Sequence, residues 1–162
     1  MEKFPIRFAI ENRLEPGQPE GGASQVWDDL LHYFFTLDDG YSTGPETRTS
    51  TGAMDGFTTH SVESTSSAGK IFIVIECKAP GLEGQDEVWG EGVEHLDRSL
   101  RETSENGNRR LFGAVAVGRG VRFYEHSKTD GVMDLDGDST MFYLHCQCKT
   151  VTDKLGYIRK NH

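Results

Sequence analysis

Apolar positions along the chain recur with two different periods. Five consecutive apolar residues, Ile71 to Ile75, lie inside KIFIVIECK (70–78) and predict a strand buried on both faces. Pro80-Gly81 breaks it. Trp89, Val93, Leu96 and Leu100 then recur at i, i+4, i+7 and i+11, predicting a helix over about 86–103 with Asp86 as its cap and Asn106-Gly107 as its stop. RRLFGAVAVG (109–118) reads as a second apolar strand, and RGVRFYEH (119–126) alternates as a third. Val132–Leu135 and Thr140–Val151 flank Asp136-Gly137, a two-residue hairpin signal, and predict two more strands.

The N-terminal third is patterned more weakly. FPIRFAI (4–10) alternates and reads as an edge strand that tolerates Pro5. EPGQPEGGAS (15–24) reads as a loop, and Ser24 as the cap of a helix over about 25–37 with Val26, Leu30, Phe34 and Leu37 on one face. The neighbouring set Tyr33, Phe34 and Phe35 is helix-spaced and reads as core. Asp38-Asp39-Gly40 ends that helix and opens a polar loop to about residue 53, after which 54–62 is extended and 64–69 turn-like. These elements predict a single mixed α/β domain over 1–162 with a central sheet.

Chain length, 162 residues, suits one domain, and 35% hydrophobic with 27% charged residues is a globular composition. Nineteen glycines, about 12% against a norm of roughly 7%, predict many turns. No run approaches the roughly 18 apolar residues of a membrane span, and MEKFPIRFAIENR lacks the layout of a secretory signal, so an intracellular place, nucleus or cytoplasm, is expected. Cys77, Cys146 and Cys148 are odd in number and read as reduced thiols. On a 141–149 strand, Phe142, Leu144, Cys146 and Cys148 share one face and His145 takes the other, which favours core packing over zinc.

Formal charge is −9, which opposes broad, metal-free adhesion to phosphate. Its distribution softens that. Residues 1–108 carry 8 basic and 20 acidic groups, whereas 109–128 carry Arg109, Arg110, Arg119, Arg122 and Lys128 against Glu125 alone. A local phosphate-facing patch with Arg119 and Arg122 is therefore compatible with an acidic chain. A solvated basic edge that discourages strand pairing has the same pattern.

The chemistry-bearing pattern sits at the end of the buried strand. Glu76 and Lys78 are two apart and leave one face, with Cys77 on the other. If 66–69 closes a hairpin, facing residue numbers sum to about 135, and Asp55 falls opposite residue 80, on the face of Glu76 and Lys78. Two close carboxylates repel, and a hard divalent cation relieves the repulsion, with the Cys77 carbonyl as a further oxygen ligand. A lysine beside a metal-bound water can orient it, help deprotonate it or stabilise charge in the transition state. Glu-x-Lys alone is common and most copies are ion pairs, so it is the whole array that carries weight: Asp, hairpin, buried strand, Glu-x-Lys, helix.

Asp55 followed by Glu76-Cys77-Lys78 at the end of an apolar strand resembles the PD-(D/E)xK nuclease superfamily. The helix GQDEVWGEGVEHLDRSLRE and the strands RRLFGAVAVGRGVRFYEH are similar to the elements after that motif, and the tone is similar to nuclease-like domains of fungal proteins; the likeness covers roughly residues 25–148. The resemblance implies a three-layer α/β/α, restriction-endonuclease-like domain with a central mixed sheet, and Mg²⁺- or Mn²⁺-dependent hydrolysis of nucleic-acid phosphodiesters, DNA ahead of RNA. It implies Asp55 and Glu76 as metal ligands and Lys78 as the catalytic lysine. Met54 stands where the motif's proline would be. A Gln and a Tyr four apart on the helix of some members fall here on His95 and Ser99, making His95 the candidate substrate contact, and an acidic residue of the first helix falls on Asp28 or Asp29. Many relatives have lost catalysis, so the alternative is an inactive domain of the same fold serving as a protein or nucleic-acid interaction module. A homodimer is allowed for.

Other patterns carry less. DLDGDS (134–139) places Ser139 and His145 where a calcium loop needs Gly and Glu. Gly118-Arg119-Gly120 lacks the helix and Lys-Ser/Thr of a phosphate loop. His60 lies near the site and reads as a hydrogen-bonded strand histidine ahead of a functional one. No Ser-His-Asp or Cys-His signature has local support.

Overall fold

A computed structural model of the chain describes residues 7–17, 20–45, 57–65, 70–104, 110–135, 137 and 140–162. Helix α1 (Arg7–Arg13) is followed by α2 (Glu20–Phe34), and strands β1 (Tyr41–Pro45), β2 (Thr58–Ser64) and β3 (Lys70–Lys78) come next. Helix α3 (Asp86–Ser104) leads to β4 (Leu111–Val117), β5 (Gly120–Ser127), β6 (Gly131–Asp134), β7 (Phe142–Tyr143) and α4 (Cys148–Asn161). The result is a mixed α/β fold: a seven-stranded sheet in the order β1-β2-β3-β4-β5-β6, with β7 also on β5. Among the described residues, β3 and β4 are the one parallel pair, joined through α3; the other pairs are antiparallel.

Alternation along the strands divides the core in two. Ile73, Ile75 and Cys77 of β3 join Ala114 and Ala116 of β4 in a cluster with Val26, Trp27, Leu30 and Leu31 of α2 and Val151, Leu155 and Ile158 of α4. Val74, Val115, Val117 and Tyr124 form the other with Trp89, Leu96 and Leu100 of α3. β3 is thus lined by apolar side chains on both faces, as its five-residue run predicts.

Two glycines let α3 lie unusually close to the sheet. A Cβ on Gly92 would stand 2.5 Å from Val115 Cγ1, and one on Gly113 would stand 2.6 Å from Leu96 Cδ1. The β2–β3 register runs from Thr58↔Cys77 through Thr59↔Glu76 to Val62↔Ile73, a constant sum of 135, and then slips by one at a bulge between Val62 and Glu63.

Several expectations are corrected. Residues 7–10 begin a helix instead of ending an edge strand, because Ile10 and Leu14, one turn apart, are both buried. The expected 15–24 loop gives way to α2 at Glu20, and that helix stops at Phe34, leaving Leu37 76% exposed and off its apolar face. Of the aromatic trio only Phe35 is fully buried, while Tyr33 faces solvent. β1 occupies part of the expected 38–53 loop, and Asp86 is the first residue of α3. β6 and β7 do not pair with each other, since each pairs with β5, and Asp136 of the expected Asp136-Gly137 turn lies outside the described residues. The expected 140–151 strand shrinks to Phe142–Tyr143, since the Cys146 and Gln147 amides turn back to the Tyr143 carbonyl and α4 follows. Cys146 is consequently exposed and Cys148 half-buried, not core residues. Asn106-Gly107 and the whole 66–69 turn lie outside the described residues. No helix among the described residues is long and apolar enough to cross a membrane.

Candidate functional site

Glu76 lies two residues before the end of β3, inside its buried run, and is 1% exposed. A carboxyl group that deep needs hydrogen bonds to offset its desolvation. Thr59, its register partner on β2, directs its hydroxyl at both oxygens, 3.1 Å from Oε1 and 3.0 Å from Oε2. Ser99 on α3 donates a second hydroxyl to Oε1 over 3.1 Å. Ser99 can reach because the Gly92 and Gly113 approaches press α3 onto β4. The carboxyl group is therefore fixed from two sides by elements distant in sequence.

Lys78 leaves the same face two residues on, at the open end of the strand, with its Nζ 4.5 Å from the centre of the Phe57 ring, a cation–π distance. His95 stacks on that ring at 4.9 Å between centroids, so Phe57 contacts both the lysine and the α3 histidine. Glu76, Lys78 and His95 thus gather under one face of α3. The Cys77 thiol points the other way into the α2 core. Asp55 lies outside the described residues.

One row runs across this face: Thr59, Glu76, Val115 and Arg122 are successive register partners. Arg122 is two strands from Glu76, roughly 10 Å at ~4.8 Å per strand. Its guanidinium lies 4.4 Å above the Trp89 ring, and its Nε is buried without a hydrogen-bond partner. Arg119, in the β4–β5 turn, sits at the same sheet end as Lys78, since the Gly118 amide donates to the Lys78 carbonyl over 3.1 Å. Its side chain pairs with Glu15 at 3.0 Å, and its amide donates to Glu83 at 3.1 Å.

The basic run of 109–128 does not form one patch. Arg110 precedes β4 and pairs with Glu125 and Tyr157, whereas Arg119 follows β4, about 20 Å away along a seven-residue strand. Arg119 and Arg122 alone lie toward Glu76, and Arg109 is outside the described residues. Asp28 and Asp29 sit on α2, across the sheet from Glu76; Asp29 contacts Arg13 and Gln25, and Asp28 turns toward His32 and His60.

Thr59 and Ser99 are the residues sequence reasoning missed as holders of Glu76. Thr59 was legible in the 135-sum register; Ser99 required knowing how closely α3 approaches. Among the described residues no group of three or more His, Cys, Asp or Glu side chains is placed to hold a metal ion. No family model, curated protein or solved structure matches the chain.

Proposed function

We propose that the chain is a metal-dependent nuclease-like domain of three-layer, restriction-endonuclease-like type that hydrolyses phosphodiester bonds of nucleic acid, DNA ahead of RNA. The observation that carries this is a carboxyl group buried at a strand end, fixed by Thr59 and Ser99, with Lys78 on the same face and Arg122 in the same row. An apolar strand end holds such groups at a desolvation cost, and pre-set geometry around a reacting centre is what that cost supports.

Glu76 supplies a hard oxygen donor, and the Cys77 carbonyl and Asp55 are the further oxygen ligands of this reading. That donor set fits Mg²⁺ or Mn²⁺, which take one or two carboxylates and complete their shell with water and phosphate. The Cys77 thiol, turned into the other core, is not part of it. The ion, when bound, acts as a Lewis acid and lowers the pKa of a coordinated water. Lys78 orients that water and meets developing negative charge. His95, Arg119 and Arg122 contact the substrate, the arginines through its phosphates.

The test is cutting of single- and double-stranded DNA and RNA with Mg²⁺ or Mn²⁺. Wild-type chain is expected to cut, with Glu76→Gln and Lys78→Ala each at least ~10²-fold slower while retaining the native fold. A specific observation favours a second reading, the inactive interaction module: both Glu76 oxygens already accept hydroxyl protons, and Lys78 already lies on Phe57. Absence of metal-dependent cutting from all four substrates, or cutting that survives Lys78→Ala, decides for that reading.

A further inference from the structure

The other face of β2 carries a polar cluster that the nuclease reading leaves unused. His60 follows Thr59, so its ring enters the opposite side of the sheet, beneath α2, where it is 2% exposed. Its Nε2 stands 2.7 Å from Ser24 Oγ. Its Nδ1 has no hydrogen-bond partner and lies 3.9 Å from Asp28 Oδ1. Ser24 and Asp28 are four residues apart on α2 and share one helix face.

One ring nitrogen therefore meets a hydroxyl at hydrogen-bond distance, and the other faces a carboxylate 3.9 Å away, beyond that distance. That is the order of a nucleophile, its base and the group that orients the base. A neutral imidazole has one donor and one acceptor nitrogen. Asp28 favours the proton on Nδ1, which leaves the Nε2 lone pair for the Ser24 hydroxyl. Burial pushes the His60 pKa below its ordinary value; among the charged neighbours on α2, Asp28 raises it and His32 lowers it. Burial is the larger influence and disfavours a proton on the ring.

The position of Ser24 adds a place for developing charge. α2 begins at Glu20, so the amides of its first turn have no acceptor within the helix. A helical Cα–Cβ bond tilts toward the N-terminus, and the Ser24 side chain leaves the backbone toward that end. The dipole of α2 favours negative charge that develops toward that end.

We propose that Ser24, His60 and Asp28 form an acyl-transfer site for small carboxylic esters, with Ser24 the nucleophile, His60 the general base and Asp28 a positioning residue. Ser24 Oγ bonds to the ester carbonyl carbon while its proton passes to His60 Nε2. The bond to the alkoxy group breaks, and the departing alcohol takes that proton. Water then attacks the acyl-serine, gives its proton to Nε2 and releases the carboxylic acid, and the proton returns to Ser24.

The experiment treats the full chain with p-nitrophenyl acetate and, separately, with a fluorophosphonate probe, and locates the adduct by peptide mass spectrometry. The expected result is a single adduct on Ser24 and ester turnover that falls at least ~100-fold in Ser24→Ala and in His60→Gln. Asp28 is half-exposed, so Asp28→Asn keeps the fold. It is expected to slow labelling and to move its pH midpoint lower, because the charge that favours protonated His60 is gone. Labelling elsewhere, no labelling, or an Asp28→Asn profile that coincides with wild type overturns the proposal.

Discussion

Thr59 and His60 are neighbours in β2, yet their side chains enter opposite faces of the sheet and meet opposite situations. Beneath α3, Thr59 joins Ser99 in surrounding Glu76 with hydroxyl protons, and both carboxyl oxygens are engaged. Beneath α2, His60 makes one short contact, to Ser24, and its second ring nitrogen, 3.9 Å from Asp28, has no hydrogen-bond partner. The two rings of partners are of similar depth, so burial does not separate them; completeness does. A fully partnered buried group is rigid, and removing any member leaves others exposed to a low-dielectric interior. An incompletely partnered one retains a free valence, the usual mark of strain or chemistry.

The largest effect that can break this contrast is at Glu76. Glu76→Ala removes the acceptor of two hydroxyls and opens a cavity beside Val115, and it is expected to cost about 2–4 kcal/mol in chemical denaturation. Glu76→Gln keeps the volume and a carbonyl acceptor, and the hydroxyls can rotate to meet its amide, so its cost is expected below about 1.5 kcal/mol. Equal costs for the two variants would show that the hydroxyls do not depend on the carboxyl group.

A step smaller, Thr59→Val and Ser99→Ala are each expected to cost about 1 kcal/mol, and together to depart from additivity by at least ~0.5 kcal/mol because they share one acceptor. Simple additivity in the double-mutant cycle would place them in separate networks. Ser24→Ala on the other face leaves His60 Nε2 unpaired as well as Nδ1, and is expected to cost about 1 kcal/mol with no coupling to Ser99 across the sheet.

How much of this could be read from the chain depends on the range of the contact. β3 was legible because burial on both faces imposes an unbroken apolar run, Ile71 to Ile75. α3 was legible because Trp89, Leu96 and Leu100 answer one sheet face. The 135-sum register followed from a short connection, and the bulge after Val62 disturbs it only beyond the site. α1 and α4 were lost to the same ambiguity: short apolar stretches fit period two as well as 3.6. Phe142 and Leu144 alternate, but they only lead into Val151, Leu155 and Ile158, whose spacing is helical. Glu76 and Lys78 were found because two residues on one strand share a face by geometry alone. Ser99 and Glu76, 23 apart, and Ser24 and His60, 36 apart, meet only through packing, and no local window contains them.

Acid sharpens the contrast without a mutation. The buried His60 has a lowered pKa, chiefly through burial. Unfolded, it takes up a proton near pH 6.5 while the native ring refuses it, so the unfolded state binds more protons there. Stability is therefore whole above about pH 6.5 and falls as the pH drops from there toward the native midpoint. His126, buried against the α3 side near Asp97 and Arg101, is shifted the same way, again chiefly by burial. His60→Gln is expected to leave only the His126 share of the acid limb; denaturation midpoints at pH 7.5, 6 and 5 measure it, and an unchanged slope would remove His60 from the account.

The smallest effect separates burial from charge as the cause. His32 is 57% exposed on α2, and its Nδ1 lies 3.6 Å from the same Asp28 oxygen that faces His60. An exposed pair of this kind contributes little, so His32→Gln is expected to change stability at pH 7.5 by less than about 0.5 kcal/mol. Its positive charge on protonation works against a proton on His60, and its removal is expected to raise the His60 midpoint slightly and shorten the acid limb. Because burial is the leading cause and Asp28 already opposes it, most of the limb is expected to remain. Loss of the whole limb in His32→Gln would mean that an exposed neighbour, not the enclosure between α2 and β2, keeps the His60 ring neutral, and the two faces of β2 would then differ in charge more than in completeness.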